Sequence, residues 1–336
     1  MTDFWFNRMA EYWVMPLQLD LAEHVRRARL QVVQTGTFGP MFYGLAGDPD
    51  VDRNWSGMPL VGIAENLALA AERIPQWQAA GARVVGQISL GWHYGDHQTG
   101  KGLFAVWDQL WTDELLGNGP GVALEACLQR TLDGALRSWP IEGRPYRTYS
   151  GCICNPHWLA VLRPMVAKAI ALGVDGFNAH HNFEKFCQCG YCLDYLHERL
   201  AEEFSAGELE RVLAAEGPPP GTEYNEPLVA RSDAPPELRA RFARLCEHAL
   251  YRRRKEFFNA LFIDFGRRLK PDLLLAQWYH KYDLDVWDER CLLPAEHWAR
   301  DEDYIWYSQG GNKNYSSLAH GHLADTGLPA RYTYAM

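Results

Sequence analysis

The sequence has no long hydrophobic segment and no excess of positive charge. No apolar run reaches the roughly 18 residues of a membrane-spanning helix. Lysine and arginine together number 33 against 42 aspartates and glutamates, so the formal net charge at pH 7 is −9. This acidic balance argues against non-specific binding to nucleic acid or to anionic membranes. We therefore expect neither a nucleic-acid-binding protein nor a membrane protein.

Cysteine is scarce as well, and a secretory leader pattern is missing. The 336 residues contain 8 cysteines, which is too few for a disulfide scaffold. The opening stretch MTDFWFNRMAEYW is aromatic and charged, without the basic and apolar regions of a signal peptide. We expect a cytoplasmic protein.

Aromatic residues are abundant by contrast. The chain contains 13 Trp, 16 Tyr and 14 Phe, and many stand beside histidine and glycine in stretches such as GWHYGDHQTG, QWYHKYD and IWYSQGG. A single aromatic ring usually fills the core, but aromatic faces also stack on the apolar side of sugars. The clusters that follow predicted strands favour a carbohydrate cleft.

Strand-like runs alternate with longer helical segments along the whole chain. The strand-like runs are 30–38, 82–90, 144–152, 174–180, 272–280, 303–311 and 330–336. The helical segments are 64–80, 103–139 (one or two helices), 157–173, 193–204 and 238–269. Repeated strand–helix units predict a parallel sheet, and polar residues at the strand ends favour an α/β (β/α)8 TIM barrel. A doubly wound sheet is the alternative, but TGTFGP is a poor match to the G-x-G-x-x-G dinucleotide motif.

The number of strands is one short of a closed barrel. Seven are visible where eight are needed, so we expect residues 1–336 to be a catalytic barrel domain that is incomplete at its carboxyl end, within a longer protein. The proline-rich stretch 216–237 is typical of an exposed loop or linker.

Three cysteines stand within six residues in FEKFCQCGYCLDYL: Cys187, Cys189 and Cys192. A disulfide between such close neighbours would be strained and would leave one thiol over. A C-x-C-x-x-C turn can instead direct three thiolates at one zinc ion, which needs a fourth ligand. The stretch YSGCICNPHW supplies two candidates for it, Cys152 and Cys154. A site with four cysteine ligands leaves no position open for water, so the zinc would be structural.

These motifs resemble those of the glycoside hydrolase family 42 β-galactosidases and related TIM-barrel glycosidases. In zinc-binding members of that family, a C-x-C-x-x-C turn after strand four and a cysteine in a C-x-N-x-P-like turn after strand three hold a structural zinc. Cys152, which precedes Asn155 and Pro156, matches the partner position better than Cys154 does. The resemblance covers roughly residues 140–200 and implies four zinc ligands: Cys152, Cys187, Cys189 and Cys192. It also implies action on a β-galactoside or a similar small oligosaccharide, and a homotrimer.

The sequence departs from the family at the catalytic position. The resemblance implies an Asn–Glu pair at the end of strand four, with the Glu as acid/base, and a nucleophilic Glu at the end of strand seven. The acid/base position falls near Asn178 in DGFNAHHNFEKF, where no glutamate stands, and the nucleophile would lie beyond Met336. Retaining hydrolysis needs two carboxyl groups about 5–5.5 Å apart.

Three residues are the catalytic candidates: Glu184, Asp175 and His180. Glu184 could act as acid/base from the loop that leads to the metal turn. Asp175, inside the strand, could orient the substrate or could be a hydrogen-bonded acid in the barrel. His180 or the adjacent His181 could transfer protons, because an imidazole titrates near neutrality. A barrel that binds sugar without hydrolysing it is a further possibility.

Other strand ends supply substrate-binding candidates. They combine aromatic rings with carboxylate, amide and imidazole groups, the mixture that sugar hydroxyls require: Trp92, His93, Asp96, Asn178, His181, Trp278, Tyr279, His280, Tyr307 and Gln309. A metal-dependent hydrolase is the rival, with ligands among His93, Asp96, His97, His180, His181 and His280. The lack of an H-x-H motif on the first strand counts against that class.

Overall fold

The computed structural model describes residues 6–12, 20–46, 62–141, 143–144, 146–180, 185–214, 227–280, 301–304 and 306–308. The strands, numbered in chain order, are β1 (Met9–Tyr12), β2 (Val32–Thr37), β3 (Arg83–Ser89), β4 (Trp92–Asp96), β5 (Lys101–Gly102), β6 (Ser138–Pro140), β7 (Arg147–Ser150), β8 (Gly176–His180), β9 (Leu274–His280) and β10 (Trp306–Ser308).

The helices lie mostly between these strands. They are α1 (Leu21–Ala28), α2 (Pro40–Ala46), α3 (Ile63–Ala79), α4 (Leu103–Leu110), α5 (Pro156–Ala171), α6 (Gly190–Glu203), α7 (Ala206–Val212), α8 (Pro236–Phe258) and α9 (Arg267–Leu269). A 3₁₀ turn covers Leu124–Ala126, and a π-helical segment, Asn259–Gly266, joins α8 to α9. None of the helices in the described ranges is long and apolar enough to cross a membrane.

The larger sheet is parallel and follows chain order. Its six strands are arranged β1-β2-β3-β8-β9-β10, and every neighbouring pair is parallel. A doubly wound sheet reverses its order at a switch point, whereas a barrel adds each new strand beside the last. The strands described here show no reversal, so the fold is TIM-barrel-like α/β.

The inner face of this sheet is strongly curved. Val32, Val85 and Leu274, from three different strands, form one buried apolar cluster. Phe6, just before β1, and Tyr304, just before β10, both pack against it. Their rings meet edge to face, with centroids 5.2 Å apart. Since β1 and β10 are the outermost strands of the sheet, this contact shows that the sheet curls until the segments leading into its two edges touch.

The outer face carries the main core. Successive strand residues point to opposite faces, and Val33, Val84 and Phe177 accordingly belong to a large cluster with residues of α3, α5 and the π-helical segment. The Phe177 ring lies 5.4 Å from the ring of Phe262 on that segment. Helices therefore cover the outside of the sheet and leave its inside for side chains at the strand ends.

A second, antiparallel sheet interrupts the strand–helix order after β3. Its strands are arranged β5-β4-β7-β6. The run 144–152 was expected as the third strand of the barrel. It does form a strand, β7, but this strand pairs with β4 and β6 in the smaller sheet. The expectation was wrong about the partner because an apolar pattern predicts extended backbone without specifying its neighbour.

Most other elements match the prediction. The expected runs 30–38, 82–90, 174–180, 272–280 and 303–311 contain β2, β3, β8, β9 and β10. The expected helices at 64–80, 157–173, 193–204 and 238–269 correspond to α3, α5, α6 and the α8–α9 segment. The run 330–336 and most of the stretch 216–237 lie outside the described residues.

Candidate functional site

Two connections bring the four predicted cysteines together. Cys152 follows β7, while Cys187 and Cys189 end the connection from β8 to α6. Cys189 is the N-cap of α6, and Cys192 lies in the first turn of that helix. Although β7 is not a barrel strand, its turn still reaches the connection after β8.

The four sulfur atoms form a compact cluster, all within 4.8 Å of one another. The Sγ atom of Cys152 lies 3.4 Å from that of Cys192 and 3.5 Å from that of Cys189. The Sγ atom of Cys187 lies 3.7 Å from those of Cys152 and Cys192. A disulfide would need about 2.05 Å. Four thiolates placed tetrahedrally at about 2.3 Å from zinc lie about 3.8 Å apart, so the donor set and its spacing fit zinc.

Backbone groups support negative charge on these sulfurs. The backbone N–H of Cys187 donates to the Sγ atom of Cys192 at 3.3 Å. Cys189 and Cys192 stand at the amino end of α6, where the helix dipole favours a thiolate.

The thiols also perturb one another's pKa. Hydrogen bonds to Cys152 and Cys189 lower the pKa of Cys187, whereas hydrogen bonds to Cys154 and Cys187 raise the pKa of Cys152. Hydrogen bonding to Cys152 and Cys192 lowers the pKa of the half-buried Cys154 to about 5. Cys154 therefore lies beside the cluster, but it is not among the four sulfurs that are all mutually close.

Two arginines hold the cysteine-bearing segments and bring positive charge to them. Arg137 is buried and donates to the carbonyl of Phe186, next to Cys187, at 2.9 Å. Arg253, on α8, donates through two nitrogens to the carbonyl of Ile153, at 2.7 and 3.0 Å. Four thiolates around a divalent cation carry a net charge of about −2, which these guanidinium groups help to balance.

The turn that carries Cys152 is fixed by close packing. A Cβ atom on Gly151 would lie 1.8 Å from the indole of Trp158, so only glycine fits this position. The Trp158 Nε1 atom donates to the carbonyl of Leu90 at 2.6 Å. Asn155 caps α5 by accepting from the backbone N–H of His157. The sequence Gly-Cys-Ile-Cys-Asn-Pro thus encodes both the turn that carries Cys152 and the start of the next helix.

A second candidate site lies on the inner face of the parallel sheet. Gln34, Gln87 and Asn178 are fully buried. Gln34 follows Val32 on β2, and Gln87 follows Val85 on β3, each as the next inward-facing residue after the apolar cluster, and Asn178 is paired with Gln87. The Nδ2 atom of Asn178 donates to Oε1 of Gln34 at 2.9 Å. On its inner face, each of β2 and β3 changes from an apolar residue to a polar one towards its carboxyl end, the edge at which barrel enzymes act.

Sequence reasoning missed Gln34 and Gln87. Both interrupt strongly apolar runs, LQVVQTG and RVVGQIS. A polar side chain inside an otherwise apolar strand needs a buried partner or a ligand. The polar residue within each apolar run was therefore the feature of the sequence that could have identified both glutamines.

Asp175 lies at the opposite edge of the sheet from this polar layer. It directly precedes β8, and its carboxylate accepts hydrogen bonds from the backbone N–H of Val84 at 2.9 Å and from Nε2 of Gln78 at 2.8 Å. The Nζ atom of Lys270 lies 3.2 Å from it. These contacts join β3, β8 and two helical segments at the amino ends of the strands. They favour the alternative in which Asp175 is a hydrogen-bonded structural acid.

The other two catalytic candidates are only partly placed. The backbone of His180 ends β8, two residues beyond Asn178 on the same strand. Its backbone is therefore at the carboxyl edge of the sheet. Glu184 lies outside the described residues, as do His181 and Gln309.

Trp92, His93 and Asp96 were expected as loop residues after strand two, but all three belong to β4 of the smaller sheet. The His93 side chain is fully buried and stacks on the ring of Tyr149, with centroids 5.5 Å apart. Burial lowers the pKa of His93 to about 3. The imidazole is therefore a neutral group in the core, and a substrate cannot reach it in this structure. The expectation was wrong because the stretch predicted as a loop forms β4, and this strand directs the His93 side chain into the core.

The remaining candidates lie on the last two strands of the parallel sheet. Trp278, Tyr279 and His280 end β9, and Tyr307 lies in β10. The Trp278 and Trp306 rings meet edge to face at 6.4 Å between centroids. These residues are paired in register, so they share the carboxyl edge with His180.

No protein-family model matches the sequence, and no curated protein does either. Solved structures with a similar fold include a cycloisomaltooligosaccharide glucanotransferase from Paenibacillus sp., with a TM-score of 0.45 and 10% identity over 90% of this chain. The chain spans 34% of that protein's length.

The glycoside hydrolase domain of PelA from Pseudomonas aeruginosa has a TM-score of 0.38 and 11% identity, covering 98% of this chain and 78% of that domain. An α-galactosidase from Thermus thermophilus has a TM-score of 0.34 and 12% identity, covering 80% of this chain and 37% of the other. These neighbours act on carbohydrates by name, and none of them is named as a family 42 enzyme.

Proposed function

We propose that this chain is a glycoside hydrolase barrel that acts on a β-galactoside or a similar small oligosaccharide and contains a structural zinc. The observation that carries the proposal is the cluster of Cys152, Cys187, Cys189 and Cys192, whose spacing fits zinc. That cluster is the most specific feature shared with the family 42 resemblance. The buried polar layer inside the parallel sheet supports a site for a polar substrate at the same time.

The zinc would act on structure alone. Four cysteine ligands leave no open position for water or substrate. Bound there, the ion would join the turn after β7 to the start of α6. Arg137 and Arg253 would hold the ligand-bearing backbone and balance its charge.

The barrel residues would bind and orient the sugar. Asn178 stands where the resemblance places the family's Asn–Glu pair, and its hydrogen bond to Gln34 holds the amide in one orientation. A donor at this layer can hold a sugar hydroxyl beside the reacting bond. Protonation of the leaving oxygen would come from Glu184, or from His180 at the end of β8.

A second candidate function is a barrel that binds sugar without hydrolysing it. The specific observation in its favour is the place of Asp175, whose carboxylate is engaged at the amino ends of the strands. With Asp175 held there, none of the catalytic candidates in the described part of the chain places a carboxylate beside Asn178. A metal-dependent hydrolase is less well supported, since the aromatic packing around His93 removes it from any accessible ligand set.

The deciding experiment is an activity screen of the full-length gene product on nitrophenyl glycosides, combined with metal analysis of the same sample. We expect hydrolysis of a β-galactoside or a related β-glycoside, and about one zinc per chain. Sugar binding with no turnover would favour the second function. Active protein without zinc would refute the metal assignment, while zinc-loaded protein that neither binds nor cleaves sugars would refute the carbohydrate assignment.

The cytoplasmic location and the homotrimer remain proposals that fractionation and light scattering would test.

A further inference from the structure

A cavity of about 630 Å³ lies outside both sites, between α4 and the loop 118–125. Its walls come from the excursion that follows β3, and none of its lining residues belongs to the parallel sheet or to the cysteine cluster. Small-molecule sites in proteins typically have volumes of about 300–1,000 Å³. The cavity is therefore large enough for a sugar or a molecule of similar size.

The lining combines aromatic rings with hydrogen-bonding groups. Trp107 and Trp111 line one wall, with their rings edge to face and centroids 4.9 Å apart. Asp108 contributes a carboxylate and Asn118 an amide. The carboxylate of Glu125 also lies at the wall and is paired with His97, whose Nε2 atom is 3.1 Å from its Oε1 atom. No lysine or arginine is among the lining residues that the structure describes.

This chemistry restricts the ligand. The carboxylate of Asp108, with no lysine or arginine on the wall, disfavours an anion. A tetraalkylammonium ion would suit the rings and the carboxylate of Asp108, but it offers no acceptor to the amide of Asn118. A neutral sugar has an apolar ring face, hydroxyl donors and hydroxyl acceptors, and so satisfies every group.

The walls are fixed in place before any ligand binds. On α4, Leu103, Val106 and Leu110 are buried in the main core, so the helix cannot shift easily. The opposite wall ends at Glu125, and the next two residues form hydrogen bonds with the turn that carries Cys152. The carbonyl of Ala126 accepts from Nδ2 of Asn155 at 2.7 Å, and that of Cys127 accepts from the backbone N–H of Cys152 at 3.0 Å.

From these observations we infer that the cavity between α4 and the loop 118–125 is a second binding site, specific for a neutral carbohydrate. It shares no residue with the barrel site. A loss of catalysis in the barrel would leave it intact, and its own failure would leave the proposed hydrolase unaffected.

Fluorine NMR of the full chain labelled with 5-fluorotryptophan tests this inference. The variants Trp107→Phe and Trp111→Phe identify the two relevant resonances among the 13 tryptophans. The probes are methyl β-galactoside, lactose and maltotriose as neutral sugars, glucuronate as an anion and tetramethylammonium as a cation. We expect both resonances to shift saturably with at least one neutral sugar, and neither to shift with glucuronate.

A matched pair of variants tests the role of the wall. Asp108→Asn should weaken sugar binding about tenfold, because it weakens a charge-assisted hydrogen bond. Asp113→Asn changes an exposed aspartate on the same segment that does not line the cavity, and binding should be unchanged. Because Asp108 is exposed, both variants should fold, and thermal unfolding verifies this. Failure of all three sugars to shift the two resonances, or a response to tetramethylammonium alone, would overturn the inference.

Discussion

The Sγ atoms of Cys152 and Cys192 lie 3.4 Å apart, although 40 positions separate the two residues in the chain. Neither residue is part of the parallel sheet. The contact joins a turn of the small antiparallel sheet to the first turn of α6. A metal bound here would therefore fasten the excursion after β3 to the barrel-like part of the fold.

The identity of the fourth ligand can be tested with single substitutions. Cys152→Ala and Cys189→Ala should each lower the zinc content and the melting temperature together, because metal-binding free energy at a structural site is folding free energy. Cys154→Ala should retain about one zinc, since its sulfur is outside the set of four mutually close atoms. Cys246→Ala, on α8 and away from the cluster, is the control. Metal analysis and calorimetry provide the readout, and zinc loss in Cys154→Ala would reassign the ligand.

Gly151→Ala should destabilise the protein without changing any ligand. The added Cβ atom would overlap the Trp158 indole at 1.8 Å, and overpacking of this kind costs about 1–3 kcal/mol. Since Cys152 is the next residue, zinc should also be lost more easily to a chelator. Gly190→Ala, where the added Cβ meets nothing within 4 Å, is the matched control. Equal chelation rates in the two variants would contradict the expectation.

Asp175→Asn should lower the free energy of unfolding by about 1–3 kcal/mol, because it weakens a buried carboxylate's hydrogen bonds to Val84 and Gln78. Asp272→Asn removes the charge of a side chain that is 56% exposed and also faces Lys270, and should change stability by less than about 0.5 kcal/mol. Urea unfolding measures both. A loss of activity in Asp175→Asn at unchanged stability would restore its catalytic candidacy.

The stability of the protein should depend on pH through His93. Burial lowers its pKa from 6.5 to about 3, so below pH 6.5 the unfolded chain takes up a proton that the folded chain refuses. The free energy of unfolding should therefore fall as the pH drops from 6.5 towards 3, by up to about 1.4 kcal/mol per pH unit. His93→Phe should reduce this slope. His97→Gln, which changes a side chain that is 46% exposed, should have little effect on it, and equal slopes in all three proteins would exclude His93 as the source.

Glu184→Gln tests the acid/base assignment. General acid catalysis contributes about 10²–10⁴-fold, so the variant should lose about that much activity on a substrate with a poor leaving group. The loss should be smaller on a nitrophenyl glycoside, whose leaving group needs little protonation. Equal losses on both substrates, or no loss, would transfer the role to His180.

The features predicted correctly from the sequence are those specified by residues close together in the chain. The spacing of Cys187, Cys189 and Cys192 places three thiols on one turn whatever surrounds them, and the cluster is present. The alternation of apolar runs likewise predicted the strands β2, β3, β8 and β9. Each of these features needs only a few residues to specify it.

Features that depend on contacts between residues distant in the chain were not predicted. The pattern of β7 indicated a strand but not the antiparallel sheet to which it belongs. His93 was expected in a cleft because histidine and aromatic residues cluster there, and the structure buries it against Tyr149. The short strand β1 (Met9–Tyr12) was overlooked within an aromatic, charged segment. In each case tertiary packing selected an environment that the local pattern leaves open.

The edge-to-face contact of Phe6 with Tyr304 has a consequence for the order of assembly. During synthesis β1 and β2 emerge early, whereas the residues before β10 emerge only after the long helix α8 has been completed. Contacts between such distant segments carry a large loop-closure entropy and form late. On a growing chain the inner apolar cluster around Val32 and Val85 therefore stays uncovered on one side until the last strands arrive, a period in which chaperones or neighbouring nascent chains can reach it.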